Sequence, residues 1–209
     1  MLGFHISSYK KPIILSTGAS NLDEIIEAVS WINSKKVKLA LLHCVLNYPT
    51  ENKNAHLGMI KDLQANFPKT IIGYSDHTLG IEIPVAAVAL GATVIEKHFT
   101  LNRTDGGVDS AFSLEPNELA TLVTESERAW RSIGTVVYGP TEAEEASLVF
   151  RRSLYFVEDL RAGDLIREGD IRRIRPGHGL APRFESEIIG RKVRVDITRG
   201  TPVQWALLD

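Results

Sequence analysis

The sequence predicts an α/β protein built on a parallel sheet, followed by a smaller, mostly β module. Three observations carry that expectation. Across residues 11–133, short β-branched runs alternate with segments whose apolar residues recur at helical spacing, giving four strand-helix units in a row. The strands are nearly continuous in apolar residues, as strands covered on both faces are. From about residue 150 the alternation stops, and short segments broken by turn residues take over.

The first unit is a strand in residues 11–18 (KPIILSTG) and a helix over residues 21–33 with Leu22, Ile25, Ile26, Val29 and Ile32 at helical spacing. Asn21 followed by Glu24 is a capping signal that places the strand-helix turn at residues 17–20. Residues 37–45 form the second strand, NYPTENKN a polar loop, and residues 57–67 a short amphipathic helix through Leu57, Ile60 and Leu63. Residues 71–100 read as strand, loop, helix and strand, with the helix over residues 81–90 apolar enough to be buried and Gly91 at its stop position. The last helix opens at Pro116, carries Leu119, Leu122, Val123, Trp130 and Ile133 on one stripe, and ends before Gly134. Four such units make half of an eightfold barrel or most of a small doubly wound sheet. The turn STGASN is not the glycine-rich phosphate turn that a dinucleotide-binding sheet carries after its first strand.

The period of two along a strand puts Gly73, Ser75 and His77 on one face, and Val94, Glu96 and His98 on one face of the next. A β-α-β unit makes these strands parallel neighbours, so both histidines arrive at the same end. There they either cap their strands by hydrogen bonding or, beside a serine and a carboxylate, hold a divalent metal with positions left open. In a barrel that end is where chemistry is done. Its candidates are Ser16, Tyr48, Ser75, His77, Glu96 and His98, with Asp105 and Asp109 in the long loop LNRTDGGVDSAFSLEP. Lys97 points to the opposite face from Glu96 and His98. Cys44, among Leu41, Leu42 and Val45, reads as a buried structural thiol.

The 209 residues are 44% hydrophobic, with 24 basic and 26 acidic side chains, which suits one good core plus a small second domain. A net charge of -2 supplies no electrostatic attraction for nucleic acid or a membrane surface, and no apolar run approaches a membrane span. A single cysteine cannot form an internal disulfide, so a cytoplasmic location is expected. Residues 138–149, with GPTEAEEAS, read as a linker between a domain at residues 1–137 and one at residues 150–209. In the latter, RIRPGHGLAP exposes backbone beside Arg172, Arg173 and Arg175; these are solvated surface or an anion or sugar contact.

KPIILSTG, LLHCVLNYPT, IIGYSDHTLG and ATVIEKHFTLNRTDGGVDSAFSLEP, followed by AGDLIREGDIRRIRPGHG and IIGRKV, resemble the sialic acid synthase family from Ile6 onward. The resemblance implies the C-terminal half, four βα units, of a TIM (β/α)8 barrel followed by a SAF domain similar to type III antifreeze protein. It implies condensation of phosphoenolpyruvate with an N-acetylated hexosamine, such as N-acetylmannosamine, to a nine-carbon 2-keto acid. Position by position it makes His77 and His98 the ligands of a manganese ion, or of magnesium or cobalt in its place. Ser16 and Ser75 match phosphoenolpyruvate-binding serines, Tyr48 matches a sugar-site tyrosine, and Asp109, which meets the sugar, and Glu96, the acid near it, are the catalytic candidates that the resemblance implies. Arg175 matches an arginine that reaches the sugar across a domain-swapped homodimer. Leu46 departs from the family members that have a sugar-contacting asparagine there. The resemblance also aligns MLGFHISSYKKPIIL with the end of the family's fourth barrel helix, so the expectation is that the sequence is a fragment or a gene remnant, or that the catalytic glutamate and the phosphate-binding lysines come from a separate N-terminal half-barrel chain. Without it the expected alternative is a non-catalytic sugar- or metal-binding module.

Overall fold

The computed structural model describes residues 10–209, so the expected end of a preceding helix at residues 1–9 lies outside the described residues. The chain divides into two compact units, with the boundary between Thr135 and Val136. In the first, strands β1 (Ile13–Ser16), β2 (Leu39–Cys44), β3 (Ile71–Asp76) and β4 (Ile95–Lys97) pair in parallel in the order of the sequence. A doubly wound sheet reverses its direction of growth at a switch point. These four strands contain no reversal, so the sheet is singly wound.

Helices α1 (Leu22–Ser34), α2 (Gly58–Asn66), α3 (Glu82–Ala89) and α4 (Pro116–Ile133) follow the strands in turn. The first starts where its capping box dictates: the Asn21 side chain accepts from the Glu24 amide at 3.0 Å, and Glu24 accepts from the Asn21 amide at 2.8 Å. Its Ile25, Val29 and Ile32 join Leu39, Leu41, Ile60, Leu63, Ile72, Tyr74 and Ala87 in one core, with Ile13, Leu15 and Ile95 packed against it. Alternate strand residues are thereby committed to the helix layer. The other face of the sheet carries Ile14, Ser16, Ala40, Leu42, Cys44, Gly73, Ser75 and Glu96.

The stripe expected on α4 is buried only in part. Leu122 is buried, whereas Val123 and Trp130 are 62% and 65% exposed and Ile133 is exposed as well. Val123 and Trp130, with Leu119, Val88, Ala92 and Ile95, line an open groove of about 680 Å³ beside β4, which is an edge strand among the described residues. Helical spacing defined the stripe, but α3 and β4 are too few elements to cover it.

The second unit pairs β5 (Ser153–Phe156) with β6 (Ile171–Ile174) antiparallel. Its core is Leu154, Phe156, Ile166, Ile171, Ile188, Val193, Ile197, Val203 and Leu208, enclosed by short bridged segments. The segment read as a linker is not structureless: a 3-10 helix spans Glu142–Phe150, started by a Thr141–Glu144 capping box, and the Val149 carbonyl accepts from the Gly177 amide at 2.8 Å. RPGHG needs its last glycine, because a Cβ on Gly179 would overlap the Leu154 carbonyl oxygen. No helix of the described residues is long and apolar enough to cross a membrane.

Candidate functional site

Register turns the face of the sheet away from the helices into layers. Ser16, Leu42 and Gly73 are level with one another; Cys44, Ser75 and Glu96 form the next layer; His77 and His98 follow at the strand ends. The middle layer is joined by a 2.6 Å hydrogen bond from the Ser75 hydroxyl to Glu96 Oε2. Burial pushes the Cys44 thiol above its ordinary pKa, which keeps it a protonated structural group rather than a nucleophile.

The two imidazoles come together, ring centroids 5.2 Å apart. His77 Nδ1 lies 2.8 Å from the Val45 carbonyl. A carbonyl only accepts, so this nitrogen donates and the lone pair is left on Nε2. His98 Nδ1 lies 3.4 Å from Asp109 Oδ2, which favours the same tautomer. An imidazole whose Nδ1–H is committed to a carbonyl or carboxylate is the usual form of a metal-ligating histidine. Among the described residues no cluster of three or more His, Cys, Asp or Glu side chains has metal-holding geometry. Two imidazoles with free Nε2 lone pairs are donors that suit a divalent ion whose other positions stay open.

Loops close over the pair. The Thr50 amide donates to the His77 carbonyl at 2.8 Å and the Thr50 hydroxyl to the Asn47 carbonyl at 2.7 Å, which sets Tyr48 with its ring centroid 4.1 Å from that of His77 and 5.8 Å from that of His98. Desolvation first, then the Cys44 thiol and the Asp109 and Glu96 carboxylates, raise the Tyr48 phenol and keep it protonated. On the other side the Leu114 amide donates to the His98 carbonyl at 2.8 Å, and Phe112 brings its ring centroid within 5.1 Å of that of His98.

Of the residues predicted from sequence, Tyr48, Ser75, His77, Glu96, His98 and Asp109 gather at this end of the sheet. Ser16 shares their face but stands two layers below the histidines, Asp105 is exposed at a 3-10 turn (Arg103–Asp105), and Leu46 leans over Gly18 at the end of β1. Arg175 is exposed just after β6 in the second unit, next to Arg173, which is paired with Glu185. Sequence reasoning missed Phe112, although it is the one aromatic residue in LNRTDGGVDSAFSLEP. It also missed the partner of Lys97. That side chain does face away from Glu96, and it is paired with Asp76 at 2.6 Å.

The NeuB family model matches residues 3–138, and a SAF domain model matches residues 151–209. An N,N'-diacetyllegionaminic acid synthase of Legionella pneumophila is 37% identical over 96% of this chain and 58% of its own length. A pseudaminic acid synthase of Campylobacter jejuni is 36% identical over 93% of this chain and 57% of its own length. Among solved structures, the N-acetylneuraminic acid (sialic acid) synthetase of Leptospira borgpetersenii is 43% identical, covering 70% of this chain and 51% of its own, with a TM-score of 0.66. The chain thus spans a little under three fifths of the length of these curated relatives.

Proposed function

The chain belongs to the NeuB family, and from that premise we propose that it forms part of a synthase joining phosphoenolpyruvate to an N-acetylated amino sugar. In this reading the first unit is half of a (β/α)8 barrel, the second unit is its SAF domain, and the protein works in the cytoplasm. The observation that carries the proposal is the convergence of His77, His98, Tyr48 and Asp109 at the carboxyl ends of parallel strands, where barrel enzymes place their chemistry.

His77 and His98 would hold a divalent ion, manganese first, which supplies Lewis-acid polarisation of the sugar aldehyde when bound. Asp109 orients the His98 ring and meets the sugar hydroxyls, and Tyr48 and Phe112 wall the sugar. Ser75 and Ser16 bind phosphoenolpyruvate from the layers below, and Glu96, held by Ser75, stands beside the sugar. The methylene carbon of phosphoenolpyruvate bonds to the aldehyde carbon, water adds to the carbon bearing the phosphate, and phosphate departs. The face of the four strands that bears these groups carries no lysine or arginine. A trianionic substrate needs a cationic cradle, so we assign that role to the portion of the relatives that this chain does not span. The same portion would cover the groove beside β4. Relatives named for legionaminic and pseudaminic acids leave the sugar open among such N-acetylated hexoses.

Phosphate release from phosphoenolpyruvate with manganese and N-acetylmannosamine or its 6-deoxy relatives tests the proposal, with the chain alone and with a relative's N-terminal half supplied. Release is expected only with both. Turnover by the chain alone would overturn the assignment of the cationic cradle. No turnover in either case would favour a non-catalytic sugar- or metal-binding module.

A further inference from the structure

The β3–β4 ladder ends at Asp76 opposite Lys97, and the next residue of each strand is a histidine of the pair. Among the described residues β3 and β4 pair with each other no further; beyond that point Thr78 bridges to Thr50 and Phe99 to Leu114 instead. A buried side-chain clasp takes over at that point on the helix-facing side. The ammonium of Lys97, whose side chain is 2% exposed, meets the carboxylate of Asp76, whose side chain is 0% exposed, at 2.6 Å and also donates to the Thr78 carbonyl. Asp76 accepts from the Thr78 amide at 2.9 Å and from its hydroxyl at 3.1 Å. The residues on both sides of His77 are therefore tied to the residue before His98.

Stability alone is a weak reason for such a pair. Removing two charges from water costs several kcal/mol per ion, and apolar residues of similar volume commonly serve as well. Ile72 and Ile95 do so on the same face. From this we infer that Asp76, Lys97 and Thr78 are positioning residues, a cross-strand clasp that sets the spacing of the two imidazoles. The inference rests on the reading of His77 and His98 as metal ligands. Groups behind a metal site that orient its ligands are worth about 10- to 100-fold in affinity.

The test is manganese titration of the full chain as wild type, as His77→Ala/His98→Ala, and as Asp76→Asn/Lys97→Met, with thermal melting of each. The last variant leaves no unpaired buried charge, and its asparagine can still accept from the Thr78 amide. It should melt within a few degrees of wild type and bind manganese at least about tenfold more weakly. Wild-type affinity in that variant overturns the inference. If the double variant does not fold, Thr78→Val, which removes only the hydroxyl bond to Asp76, should still weaken binding several-fold, and unchanged affinity overturns the inference. If the wild type binds no manganese, the metal reading fails by itself. The clasp is then judged from the imidazole nitrogen resonances of metal-free protein: narrow signals for His77 and His98 in wild type that broaden in the double variant support it, and identical spectra overturn it.

Discussion

Gly73 lies where the sheet is most crowded. A Cβ there would overlap the Val94 carbonyl oxygen and press on Leu42, so β3 approaches β4 beneath Ser75 and Glu96 only because this residue has no side chain. Gly73→Ala should cost about 3 kcal/mol, the upper range for overpacking against backbone, read as a lowered denaturation midpoint in urea. A midpoint equal to wild type would mean that the strands part there freely. At this scale much of the site was legible. Period-two alternation and parallel pairing are enough to stack Ser75 on Glu96 and His77 beside His98, because both are local rules. The same parity turned Lys97 away but could not supply Asp76, whose role depends on where the ladder stops. Phe112 was hidden for another reason, since a loop residue has no periodicity to betray the direction of its side chain.

The connection between β4 and α4 has an order that its glycines and aspartates do not announce. Arg103 donates from its amide to Glu115 and from Nε to the Ser113 carbonyl, both at 2.9 Å, and its guanidinium pairs with Glu118. The loop carrying Asp109 is thereby stapled to the first turn of α4. The Glu115 amide, bonded to Glu118 at 2.8 Å, and then Arg103 hold the Glu118 carboxyl below its ordinary range. The unfolded chain therefore takes up this proton first as pH falls. The stabilisation is complete above the ordinary carboxylate pKa and is lost as pH drops through the lowered value. Glu118→Gln should cost about 0.5–1 kcal/mol at pH 7, discounted for partial exposure, and the gap between the two melting temperatures should close as pH is lowered towards 3. A gap that persists in acid would place the effect elsewhere. Helix starts with capping boxes, as at Asn21, were readable because both partners lie three residues apart. The Arg103 staple was not, because its partners lie 10 to 15 residues away.

At the scale of the molecule, each unit has its own core, and Arg175 is exposed in the second. On the proposed function, in a complemented enzyme Arg175→Ala should raise the sugar's KM or lower turnover by about 2 kcal/mol, the loss of one charged hydrogen bond. Mixing it with His77→Ala/His98→Ala should restore part of the activity if the arginine serves the neighbouring subunit. Absence of rescue would confine it to its own chain. The first unit also couples its two histidines to its loops: the His77 carbonyl holds the Thr50 amide, and the His98 carbonyl holds that of Leu114. On the proposed function, an ion that quietens the two rings would take conformational freedom from both loops in the same event. A sugar held against Tyr48 and Phe112 would then meet loops whose ordering entropy has already been lost, and by reciprocity the sugar would tighten the ion as much as the ion tightens the sugar.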